Sequence, residues 1–232
     1  MTEHDSGIAN SFTDLMTSLA VIFILLLCAT LNNVFEEGQN TRTKILEKLQ
    51  VQLKEYKGVL VNLDPKDPLA LLILVPEGLL EFQLNKAVIP SRGIEFLDSF
   101  VPKLTQTIYH PEFRDDVSSV VVEGHTDSSG NDADNLKLSQ DRSMAVVNKC
   151  ISILEPGSSM NSSHEKREHF LRVLSASGRG KQDPIPDTDG NENMSKSRRV
   201  VFKIRIKAIE EKNGNLISKG DNNVQIISFY AR

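Results

Sequence analysis

From Leu15 to Phe35 the chain runs 21 residues without a formal charge, and Leu19 to Ala29 is apolar throughout. At 1.5 Å rise per residue, about 20 residues cross a hydrocarbon core of roughly 30 Å. This stretch therefore dictates a transmembrane helix, assigned to residues 11–35. A cleaved signal peptide is disfavoured. The preceding tail, MTEHDSGIANSFTD, holds no Lys or Arg, and CATLNNVFEEG is a poor cleavage site. Arg42, Lys44 and Lys48 follow the span, so the positive-inside rule taken alone places the C-terminal part in the cytoplasm.

The 232 residues leave room for one ordinary domain beyond the span. A net charge of −4 gives no electrostatic reason to expect nucleic acid as a partner. Cys28 and Cys150, one inside the apolar run and one far outside it, make no disulfide framework. After the span, Ile45, Leu49, Leu53 and Tyr56 form one narrow apolar stripe on a charged helix. Such a stripe pairs two copies or lies on its own domain, and pairing is the expectation.

LALLILVPEGLLEFQ (69–83) reads as two extended runs around a Pro76-Glu77-Gly78 turn, a hairpin. Residues 90–108 repeat apolar side chains at helical spacing, SSVVVEG (118–124) is a short buried strand, and residues 135–154 form a second amphipathic helix. FLRVLSASG (170–178) and RRVVFKIRIKAI (198–209) read as further strands, the second alternating Val200, Phe202, Ile204, Ile206 against Val201, Lys203, Arg205, Lys207. The expected fold class is α+β: a single N-terminal transmembrane helix, a short connecting helix, then a βαβαβ sandwich with two helices on one face of a small mixed sheet. The boundaries are a tail at 1–10, the span at 11–35, a linker helix at 36–68, the domain at 69–209 and a C-terminal extension at 210–232. The extension is polar apart from VQIISFY.

The informative stretch outside the membrane is EGHTDSSGNDADNLKLSQDR, residues 123–142. A strand delivers Thr126 and Asp127 to its edge, a glycine-containing loop follows, and a helix then places Asn135, Leu138, Ser139 and Arg142 on one face. An acid and a base on opposite walls of a cleft suit a zwitterionic ligand: the carboxylate takes an ammonium and the guanidinium a carboxylate. An ordinary surface ion pair between Asp127 and Arg142 is the alternative. His125 reads as a structural histidine. His164 and His169 lack a second ligand at a metal spacing, and no metal site, cofactor or hydrolytic constellation is expected.

GHTDSSG, then Asn135-x-x-Leu138-Ser139-x-x-Arg142, then a distal SRRVVFKI, resembles the OmpA-like peptidoglycan-binding domain. The resemblance implies that Asp127 and Arg142 clamp the diaminopimelate of a cell-wall stem peptide, with Thr126, Asn135, Leu138 and Arg198 lining the site. Ser197 departs from that pattern, which commonly has Asn before the paired arginines. The insertion PGSSMNSSHEKREH (156–169) lengthens one connection. A wall-binding domain requires residues after 36 to be periplasmic, which overrules the charge count.

Asp14 stands at the cytoplasmic threshold of the span, in FTDLMTSLAVIFILLL. By position alone it reads as a water-facing helix cap. The stretch resembles the span of MotB-like motor B subunits, and that resemblance makes Asp14 the proton carrier. An ionised Asp at the centre of a bilayer is unfavourable by about 2.5–3.5 kcal/mol, so a carboxylate there tends to neutrality or to a partner. Each proton crossing releases roughly 2.3 kcal/mol per 100 mV. The resemblance further implies an inner-membrane, lipid-embedded homodimer inside a pentameric ring of multi-span A subunits, with no enzymatic activity of its own. The short connection between span and wall domain makes the chain most similar to the B subunits of the Zorya antiphage defence system. A flagellar stator B subunit and a passive envelope-to-wall tether are the alternatives.

Overall fold

A computed structural model describes residues 3–80, 82–83, 85–155 and 164–207. One helix, α1, runs unbroken from Glu3 to Leu53. It contains a segment, Phe12–Asn32, long and apolar enough to cross a membrane, with no part of it buried in the protein. The helix does not stop where the lipid would. Its last turns carry Ile45, Leu49 and Leu53 into the domain core, each at most 2% exposed. Arg42 donates to the Pro68 carbonyl, and Tyr56, just past the helix, sets its ring edge-on to Phe96 at 5.3 Å. The stripe expected to pair two copies is thus consumed by the chain's own domain. Burying three aliphatic side chains there contributes about 1.5–3 kcal/mol each.

The expected linker at 36–68 is also shorter than drawn. Leu60–Leu63 forms an edge strand, β1, antiparallel to β2 (Ala70–Pro76). The hairpin expected around Pro76 therefore lies one connection earlier, and Glu77–Leu80 coils into a helical turn, α2, instead of a second strand. The physical reason is Leu80, which this turn directs into the core at 1% exposure.

The remaining elements are α3 (Ser91–Ile108), β3 (Val117–His125), α4 (Asp132–Ile153), α5 (His164–Val173), β4 (Leu174–Gly178), the short α6 (Met194–Ser197) and β5 (Arg199–Ile206). They build a five-stranded mixed sheet in the order β1-β2-β5-β3-β4, antiparallel except between β3 and β4. The α+β class and small mixed sheet match expectation. Val200, Phe202, Ile204 and Ile206 of the central strand face one hydrophobic core built with α1, α3, α4 and α5. On the other face, Lys203 pairs with Asp64 at 2.6 Å and Arg205 with Asp67 at 3.1 Å. Residues 170–173, read as strand, are the last turn of α5. Phe170 fits either period, and its burial at 1% on a helix decides the matter. The first half of the 156–169 insertion and the C-terminal extension at 210–232, VQIISFY included, lie outside the described residues.

The domain has a direction. Thr41 donates to Asp116, and the Lys207 backbone N–H donates to the Asp116 carbonyl, so α1 enters beside the C-terminal end of β5. The N-terminal end of β5, at Arg199, is eight residues away, about 25 Å along the strand.

Candidate functional site

At that far end, the register of the central strand sets the chemistry. Arg199 pairs with Pro76 on β2 and with His125 on β3. One step beyond the ladder, Arg198 is therefore flanked by Glu77 on one side and the Thr126-Asp127 loop on the other. Its Nε donates to Glu77 Oε2 and its Nη1 to Asp127 Oδ2, both at 2.7 Å.

The helix α4 is drawn unusually close to the sheet. A Cβ on Gly124 would sit 2.2 Å from the Ser139 carbonyl oxygen, and one on Gly178 would sit 2.6 Å from the Gln140 nitrogen. Only glycine permits this approach at both strands. The contact is then locked by hydrogen bonds: the Gly180 N–H donates to Ser139 Oγ at 2.8 Å, and the Gly178 N–H to Gln140 Oε1 at 2.6 Å. Asn131 caps α4 by accepting from the Asp134 N–H at 2.8 Å. Asn135 holds the preceding loop by donating to the Ser129 carbonyl at 2.6 Å.

The result is an open cleft of about 490 Å³. Thr126, Asp127, Asn135, Leu138, Arg142 and Arg198 all line it, so the structure brings together the six residues expected there. It does not make the alternative ion pair between Asp127 and Arg142, however. Asp127 bonds Arg198, together with the Ser129 backbone N–H at 3.1 Å and its hydroxyl. Arg142 instead donates to the Lys86 carbonyl through Nε at 3.1 Å and to the Gln83 carbonyl through Nη2 at 3.3 Å, beneath the Phe82 ring. The direct Asp127–Arg142 surface bridge is thus absent.

Electrostatics follow from these partners. Burial alone would raise the Asp127 carboxyl, but bonds from Ser129 and Arg198 outweigh it and hold the group below the ordinary carboxylate range. Burial lowers Arg142, with the Glu77 charge acting against that. Arg198 is raised by Asp127 and by Glu77. Glu192 accepts from the Ser128 N–H at 3.2 Å and fastens the outer side of the same loop. Glu77 and Glu192 escaped sequence reasoning. They come from distant segments, and only the strand register would have revealed Glu77.

His125 is buried, its Nδ1 3.2 Å from the Gln182 carbonyl, and among the described residues no cluster of His, Cys, Asp and Glu is arranged to hold a metal. Asp14 is nowhere near the cleft. It lies near the start of the span, 28 helical residues before Arg42, about 42 Å away at 1.5 Å per residue. One turn on, the Thr17 hydroxyl donates to the Thr13 carbonyl at 2.7 Å.

Two relatives are similar in sequence to this chain over most of their length. The Zorya protein ZorB of Escherichia coli O139:H28 is 25% identical over 214 residues, covering 87% of this chain and 81% of that one. ZorB of the Escherichia coli Crooks strain is 23% identical over 212 residues, covering 84% and 86%. Among solved structures, a MotB-like protein from Desulfovibrio vulgaris superposes with a TM-score of 0.50 at 20% identity, covering 76% of this chain and 95% of its own, which establishes the shared fold. The chain is thus similar in sequence to ZorB and shares its fold with a MotB-like protein. The OmpA family matches residues 82–198, the half of the molecule that contains the loop, helix α4 and the arginine pair around the cleft, and the chain belongs to the OmpA family.

Proposed function

We propose that this protein is the stationary B subunit of a proton-driven motor in the bacterial inner membrane, acting in Zorya-type antiphage defence. Residues 1–10 lie in the cytoplasm, the span occupies 11–35, and the domain is periplasmic and grips peptidoglycan. Two copies stand inside a pentameric ring of multi-span A subunits, and Asp14 accepts and releases the proton. The role is anchoring and ion coupling, not catalysis.

The observation that carries this reading is the placement of two chemistries at opposite ends of one body. A carboxylate sits at the threshold of a lipid-length helix. A cleft of mixed charge opens at the end of the sheet remote from where that helix enters. A zwitterionic cell-wall residue suits the cleft because Asp127 supplies an acceptor for its ammonium and Arg142 a donor for its carboxylate. The helix continues from the span into the domain core, with no room for the longer linker of a flagellar stator.

The test uses two substitutions in the full chain co-expressed with its neighbouring membrane protein. Asp14→Asn should abolish protection against phage while the complex still assembles; retained protection would leave only a passive tether. Arg142→Ala should lower affinity for muropeptides by at least tenfold, since a charge-assisted bond contributes about 1.5–3 kcal/mol. It should not release the protein from the membrane, and unchanged muropeptide affinity would remove the cleft from the reading.

A further inference from the structure

Arg198 occupies the very carboxylate that a ligand ammonium needs. Asp127 Oδ1 is engaged by Ser129, and Oδ2 accepts from Arg198 Nη1 at 2.7 Å. A ligand must displace this guanidinium or share its oxygen. Arg198 is only a third exposed, so a guanidinium left with no anion at all would be a part-buried cation uncompensated, which is strongly unfavourable. Glu77 removes that difficulty. It holds a different nitrogen, Nε, at 2.7 Å, from the side opposite Asp127.

We propose that Glu77 is a positioning residue of the cleft, which keeps Arg198 paired while an incoming ammonium takes Asp127 and leaves the guanidinium aimed at the ligand carboxylate. The inference rests on the cleft being the wall-ligand site. Charge bookkeeping selects the ligand class. Among the four innermost groups, Glu77 and Asp127 balance Arg142 and Arg198, while the outer lining adds Asp134, Asp141 and Lys137. A zwitterionic amino-acid end, with one primary ammonium and one carboxylate, preserves that balance. Without Glu77 the four innermost groups carry one excess positive charge next to Asp127, which penalises the ammonium and tolerates a simple anion. The strand register makes the arrangement structural: β2 and β3 flank β5, so an acid at the end of each stands on either side of Arg198.

The experiment measures binding of a soluble stem peptide ending in diaminopimelate to the detergent-solubilised full chain by calorimetry. The same peptide with its side-chain amine acetylated is the comparison. Wild type should prefer the free amine. Glu77→Gln should weaken the free-amine peptide about tenfold, the scale of one charge-assisted contact. It should change the acetylated one less than about threefold, collapsing the preference. Glu77→Asp, which keeps the charge, should recover part of it, a rescue that a merely structural role would not produce. In the Arg198→Gln background, Glu77→Gln should cost no further affinity, because its effect runs through that guanidinium. Equal weakening of both peptides, or no weakening of either, would overturn the role of Glu77 and leave the cleft in place. No binding by wild type would instead overturn the wall-ligand reading beneath it.

Discussion

Asp127 makes the consequences of single contacts measurable. Its folded carboxyl is held below its ordinary value because the Ser129 and Arg198 bonds outweigh the burial that opposes them. A group depressed in this way stabilises the fold above its unfolded pKa, near 3.9, and loses that contribution as pH falls through the folded value. Asp64 behaves alike: burial pushes it up, while Lys203 and the Lys66 N–H pull it lower still. Stability should therefore be flat from neutrality down to about pH 4 as far as these two groups are concerned, and should decline below. Asp127→Asn should cost about 1 kcal/mol at pH 7, kept small because Arg198 is partly solvated. The same variant should show a shallower decline in acid. Hydrogen exchange of the β5 amides at pH 7 and pH 3.5 measures both, and an undiminished acid slope in the variant would show that the Asp127 pair carries none of it.

The last turns of α1 are where local pattern and tertiary outcome part. Ile45, Leu49 and Leu53 at spacings of four announce an apolar stripe, but nothing in a stripe says which surface covers it. Here α3 and the sheet do, with Tyr56 set edge-on against Phe96 and Phe100. Leu49→Ala should accordingly destabilise the domain by about 2–5 kcal/mol. Exchange protection of α3 and β5 would report this; a helix that only paired two copies would lose self-association and leave those amides unchanged. The long periodic elements were legible for the opposite reason. α3, α4, β3 and β5 each carry enough apolar repeats for the period to be unambiguous, and the loop between β3 and α4 is contiguous with them, so five of the cleft residues were readable from one stretch. LVNL at 60–63 is too short to show a period and is a strand only because β2 pairs with it. Pro76-Glu77-Gly78 has the composition of a turn, and that composition hid Glu77. Its partner is 121 positions away, which no local pattern encodes.

Across the whole molecule, α1 acts as a stiff shaft that joins the span to the sheet without a joint. Asp14 precedes Arg42 by 28 residues of one helix, about 42 Å, and the cleft lies about 25 Å beyond the point of entry. If the cleft grips the wall, as proposed, the grip also fixes the angle at which Asp14 points within the membrane, because a helix transmits rotation of its axis along its length. An insertion between Gln39 and Asn40 tests this by helical phase. Two added helix-forming residues turn the span by about 200° relative to the domain, whereas seven return it to within about 20° and lengthen it by only about 10 Å. Protection against phage should fail with two residues and survive with seven. It should fail again when the seven are Gly and Ser, which restore length but not phase. Membrane insertion and muropeptide binding should be intact in all three, so that a loss reports orientation and not misfolding. Equal protection by the three insertions would mean that the wall domain restrains only the position of the span, as a slack tether does, and that Asp14 finds its angle from the surrounding ring alone.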